Sequence, residues 1–141
     1  MRDECQALAR VHTRVTDAIA GYDELARRGA MAGVPLAAAM SELHRCHKAS
    51  LVGMLGSRGC EAGPDGRFLA LLHEEAIRPR DWVDDLDADL PARLRGSEER
   101  ILSLYDEAIA TMRDSVPERS ALAMQRTELS ARMTELDRRA A

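Results

Sequence analysis

Gly59-Cys60-Glu61-Ala62-Gly63-Pro64-Asp65-Gly66 opens the one long break in an otherwise helical pattern, and its reading decides the fold. Glycines and a proline this close together end a helix and make turns. Beyond them, Arg67 to Ile77 can form about three helical turns, with Phe68, Leu71, Leu72 and Ala76 apolar. Pro79 interrupts, and Trp82, Val83 and Leu86 suggest a further turn or two. Residues from Cys60 to about Asp89 are therefore expected to form a long, partly helical crossover. Its length of roughly 30 residues far exceeds the two to eight usual between bundle helices.

Amphipathic helices flank this break on both sides. Helix A is expected over about 3–28, where Leu8, Val11, Val15, Ala18, Tyr22 and Leu25 recur at spacings of three and four. Arg27-Arg28-Gly29 is a helix stop. Helix B runs from about Pro35 to Arg58, with the stripe Leu36, Met40, Leu43, His47, Ser50 or Leu51, and Met54. Helix C spans about 90–113, with Asp89 as N-cap and the stripe Leu90, Leu94, Ser97 or Glu98, Ile101, Tyr105, Ala108 and Met112. Ser115 with Glu118 three residues on is a capping box for helix D, about 116–138, whose stripe is Leu122, Gln125, Leu129, Met133 and Leu136.

The connections set the topology. A short A–B link and a short C–D link make two antiparallel hairpins, and a helix-long crossover lets C run parallel to B. That is the ferritin-like four-helix bundle, all-α, expected as one domain over residues 1–141.

Composition agrees. The 141 residues hold one Trp, two Tyr and one Phe, and the apolar residues are mainly Ala, Leu and Met, which favour helices over strands. The net charge of −4 opposes nucleic-acid binding, which needs a basic patch to displace counterions. No apolar run reaches the roughly 20 residues of a membrane span, and Met1-Arg2-Asp3-Glu4 lacks the apolar core of a signal peptide. Cys5, Cys46 and Cys60 are odd in number and form no C-x-x-C pair, so they are expected as reduced thiols in a reducing, cytoplasmic setting.

Several short pieces carry a resemblance: Gly21-Tyr22 in helix A, Leu51 to Gly59 at the end of helix B, Leu71-Leu72-His73 in the crossover, and Gly96-Ser97-Glu98 with Tyr105 in helix C. In that order and spacing the chain resembles the ferritin-like domain-of-unknown-function family of bacterial four-helix-bundle proteins. The resemblance implies the fold and no activity. A tryptophan close behind the crossover histidine is usual in that family; here the only one is Trp82, further along.

A two-iron centre in such a bundle needs a Glu from each of two helices and Glu-x-x-His from each of the other two. Glu42 is followed at the required spacing by Arg45, and Glu128 by Ala131, so both pairs are missing and no cofactor is expected. The alternative is a transition-metal site, iron or zinc, at His44, His47 and Glu98. His44 and His47 lie one turn apart on helix B, while Cys46 points roughly 100° away from His47. The plainer reading of the pair is two half-buried, hydrogen-bonded histidines.

Glu98 falls between Leu94 and Ile101 on the interior side of helix C. A buried carboxylate must be paired, protonated or wet. Tyr22, His47 and Gln125 are candidate partners, and Tyr105 shares its face, so Tyr22, His47, Glu98, Tyr105 and Gln125 are expected to form an interior polar layer. The competing reading rotates helix C slightly and lets Glu98 reach solvent.

No phosphate loop, nucleophile elbow or catalytic triad pattern is present. The sequence favours a non-enzymatic structural or interaction protein over a metal-dependent one. Phe68, Trp82 and Val83 are more apolar surface than a crossover can bury against its own bundle, so a homo-oligomer, a dimer or larger, is expected.

Overall fold

The computed structural model describes residues 2–29, 36–60, 90–112 and 116–140. They form four helices: α1 (Arg2–Arg27), α2 (Ala37–Ser57), α3 (Leu90–Thr111) and α4 (Val116–Ala140). Every described element is helical. Among the described residues, no helix is long and apolar enough to cross a membrane.

Cross-helix pairs fix the directions. Asp23 meets Arg45 and Glu4 meets Arg58, so α1 and α2 are antiparallel. His47 meets Glu128 and Arg58 meets Glu118, so α2 and α4 are antiparallel. Tyr105 meets Gln125 and Arg95 meets Asp137, so α3 and α4 are antiparallel. It follows that α1 is antiparallel to α3 and that α2 runs parallel to α3. Each helix packs on two neighbours, in the cyclic order α2, α1, α3, α4. The end of α2 and the start of α3 therefore lie at opposite ends of the bundle. Of the segment expected to cross between them, all but Cys60 lies outside the described residues, as do Ser115 and Asp89 of the expected caps.

The core follows the stripes. Leu8, Val11, Val15, Ala18, Tyr22 and Leu25 of α1 are all buried, and so are Leu122, Gln125, Leu129, Met133 and Leu136 of α4. On α3 the buried line is Leu94, Glu98, Ile101, Tyr105 and Ala108, continued just past its end by Met112. Helix α2 departs from expectation. Its buried residues are Ala37, Met40, Ser41, His44, His47, Leu51, Met54 and Leu55. Leu43 is only half-buried and Ser50 is exposed, so the helix is rotated to bring His44 inward.

Helix ends follow local chemistry. Gly29 adopts a left-handed φ of 70° and its N–H donates to the Ala26 carbonyl, closing α1. Helix α2 starts at Ala37, not at Pro35, because Leu36 itself has a left-handed φ of 63° and stands outside the helix. That conformation costs an L-residue about 1–2 kcal/mol. At the far end Gly59 has φ 66°, its N–H donates to Gly56 O, and Cys60 N–H reaches back to Leu55 O at 2.7 Å. This Schellman turn satisfies the last carbonyls and folds Cys60 back against the bundle.

Cys60 is there bonded to Cys5 as a disulfide, with Cα atoms 5.2 Å apart. The expectation of three reduced thiols is thus overturned for two of them, and Cys46 alone is free and exposed. The physical reason is the hairpin. An antiparallel pair turning between residues 29 and 36 sets position 5 opposite position 60. A reducing compartment inferred from free thiols loses its premise.

Candidate functional site

The polar residues of the interior form two neighbouring groups. The first is built around Glu98, which is 0% exposed. Its place on α3 is dictated by the apolar residues on the same line, Leu94 and Ile101, which are both buried. Tyr22, at the last third of α1, donates its hydroxyl to Glu98 Oε1 at 2.7 Å. His44 of α2 places Nε2 at 3.0 and 2.8 Å from the two carboxylate oxygens. The Tyr22 and His44 rings stack, with centroids 6.2 Å apart. One carboxylate therefore ties three helices together.

A carboxylate accepts, so His44 Nε2 carries the proton that points at Glu98. Nδ1 is buried and has no hydrogen-bond partner.

The second group lies about two turns along α3, roughly 10 Å from Glu98 at 1.5 Å per residue. Tyr105, fully buried, donates to Gln125 Oε1 on α4 at 2.9 Å. His47 of α2 stands edge-on to the Tyr105 ring and sets Nε2 3.4 Å from Glu128 Oε1. Glu128 is half-exposed, so this group touches solvent where the first does not.

Burial sets the proton affinities. The Tyr22 phenol is pushed well above the usual tyrosine value, first by desolvation and then by the Glu98 charge and hydrogen bond. Tyr105 is raised as well, by burial and then by the Glu128 and Glu98 charges. The His47 imidazole is held below the usual histidine value by burial, with Glu128 pulling the other way and His44 adding to the fall.

The structure buries Tyr22, His47, Glu98, Tyr105 and Gln125, and brings Tyr22 and Glu98 into contact. The histidine on Glu98 is His44, one turn from His47. Gln125 bonds Tyr105 instead of Glu98. Glu128 enters the sequence reading only as half of a missing Glu-x-x-His pair and not as a partner of His47, because its face is solvated; the i,i+3 spacing from Gln125 is the signal that points to it. His44, His47, Glu98 and Glu128 carry the donor types a transition metal takes, but among the described residues no three such groups converge as a metal-binding cluster. Chemically, the arrangement holds protons in fixed places and cross-links helices.

The fold and this interior define an all-α four-helix bundle with a buried Tyr–Glu–His tie. No family model matches the chain, and comparison with curated proteins and with solved structures finds no match.

Proposed function

We propose that the chain is a ferritin-like bundle of the family it resembles, acting as a structural or interaction protein with no reaction of its own. The observation that carries this is the state of Glu98: both oxygens are engaged by Tyr22 and His44, so the one fully buried carboxylate among the described residues serves to join α1, α2 and α3. The parallel run of α2 and α3 supports a ferritin-like crossover, because residues 61–89 must link opposite ends of the bundle. Self-association as a dimer or larger belongs to the same reading, through the apolar residues Phe68, Trp82 and Val83. Light scattering at high micromolar concentration should give a mass above one chain; a monomer there would count against it.

The second reading is a metal-binding or redox protein with a site at His44, His47 and Glu98. One observation favours it: each of these histidines turns Nε2 toward a carboxylate from a different helix, Glu98 on α3 and Glu128 on α4. Two imidazoles and two carboxylates would neutralise one divalent ion, whereas two irons would lack ligands. Elemental analysis of protein grown with added iron and zinc separates the readings. Substoichiometric metal that His44→Ala leaves unchanged supports the structural role, and one tightly held ion per chain lost in that variant overturns it.

A further inference from the structure

The corner where α1 begins and α2 ends holds the disulfide and a cleft of about 470 Å³ lined by Glu4, Ser57, Arg58 and Glu118. Glu4 immediately precedes Cys5, and Arg58 lies two residues before Cys60. We propose that Cys5–Cys60 is a thiol–disulfide exchange site, opened by a small-molecule thiol and closed again without loss of the fold.

Three features carry the proposal. The two cysteines differ in exposure: Cys60 is buried at 4%, while Cys5 is only half-buried. An incoming thiolate therefore reaches Cys5 first. Next, the corner is tied a second time. Arg58 bridges Glu4 of α1 and Glu118 of α4, its guanidinium mostly shielded from solvent. Opening the sulfur bond leaves these ion pairs and the Gly59 turn in place, so the corner can hold its shape while reduced. Finally, the buried polar interior lies toward the other end of α1 and α2, at Tyr22 and His44, and is independent of the corner.

The chemistry balances as ordinary exchange. A thiolate attacks Cys5 Sγ, a mixed disulfide forms at Cys5, and Cys60 leaves as thiolate and takes up a proton. A second thiol attacks the outer sulfur of the mixed disulfide, releasing the small-molecule disulfide and the Cys5 thiol. Two thiols are oxidised and the protein disulfide gains two electrons. The structural alternative is a permanent staple, closing a loop across 55 residues and needed for folding.

Exposed Cys46 provides an internal reference for the test. Native protein is treated with dithiothreitol without denaturant, then alkylated and weighed by mass spectrometry. One label per chain before treatment and three after are expected, with helical circular dichroism retained and a melting temperature lower by on the order of 10 °C. In Cys60→Ser, oxidised glutathione should add to Cys5 at least tenfold faster than it adds to Cys60 in Cys5→Ser. The proposal is overturned if one label persists after dithiothreitol, if helicity is lost on reduction, or if Cys60 is the faster acceptor.

Discussion

The Tyr22 hydroxyl and the Glu98 carboxylate meet at 2.7 Å across the α1–α3 seam, both groups buried and 76 residues apart in the chain. Their bond is long-range in sequence, so it forms only when the bundle does. Its worth is read by changing Glu98. Glu98→Gln keeps an acceptor for both donors and is expected to be mild. Glu98→Ala strands the Tyr22 hydroxyl and the His44 N–H and should cost about 1–3 kcal/mol in urea denaturation. Glu98→Leu fills the space with apolar volume and should be less harmful than Ala, since replacing a buried charged group can even stabilise. Equal stability of all three would remove the tie.

Coupling discriminates between the two histidines. Double-mutant cycles of Glu98→Ala with Tyr22→Phe and with His44→Ala should each give an interaction energy of about 0.5–3 kcal/mol, because the residues share hydrogen bonds. The same cycle with His47→Ala should give a smaller value, since His47 bonds Glu128 and not Glu98. A larger coupling to His47 than to His44 would mean that α2 sits rotated from the orientation described.

What the sequence disclosed follows from how strongly each helix is patterned. Helix α1 separates apolar and charged residues along its whole length, and its stripe through Leu8 to Leu25 matches the buried residues, as does the sparser stripe of α4 through Leu122 to Leu136. Helix α2 does not: its outer face carries Ala49, Val52, Gly53 and Gly56, all exposed. With small and apolar residues on both sides, hydrophobicity cannot set the phase, and it favoured Leu43 over His44. Glu98 was legible because Leu94 and Ile101 bracket it, yet its histidine partner was not. The disulfide was missed for another reason: an odd cysteine count suggested free thiols, while the symmetry of the hairpin about residues 29–36 was the stronger signal.

Acid should weaken the bundle through His47. Burial holds its folded-state proton affinity below that of an unfolded histidine, so between the two values the unfolded chain binds more protons. Stability from this group is complete above the unfolded value of about 6.5 and falls as pH drops through that value toward the lower folded one. Urea midpoints should decline from pH 7 to pH 5, and His47→Gln, which cannot titrate, should flatten part of the decline. Tyr22 and Tyr105 act at the other extreme. Their raised values mean stability is full below about pH 10 and is lost as pH rises beyond it. Ultraviolet titration of folded protein should show both tyrosines ionising only with unfolding; normal titration of either would contradict its burial.

The second polar group tests whether its pairing or its polarity matters. Tyr105 donates to Gln125 at 2.9 Å, and both side chains are buried, on α3 and α4. Tyr105→Phe removes the donor and leaves the Gln125 carbonyl oxygen without it, at an expected cost of about 1–3 kcal/mol. Gln125→Leu does the reverse, leaving the Tyr105 hydroxyl in an apolar setting at a similar cost. Changing both to Phe and Leu leaves neither group behind, so the double variant should be more stable than the sum of the two losses predicts. The His47 edge contact with the Tyr105 ring survives in Phe, so it does not confound the comparison. Thermal and urea denaturation of the three variants give the answer. Strict additivity would show that the hydroxyl and the amide do not depend on each other.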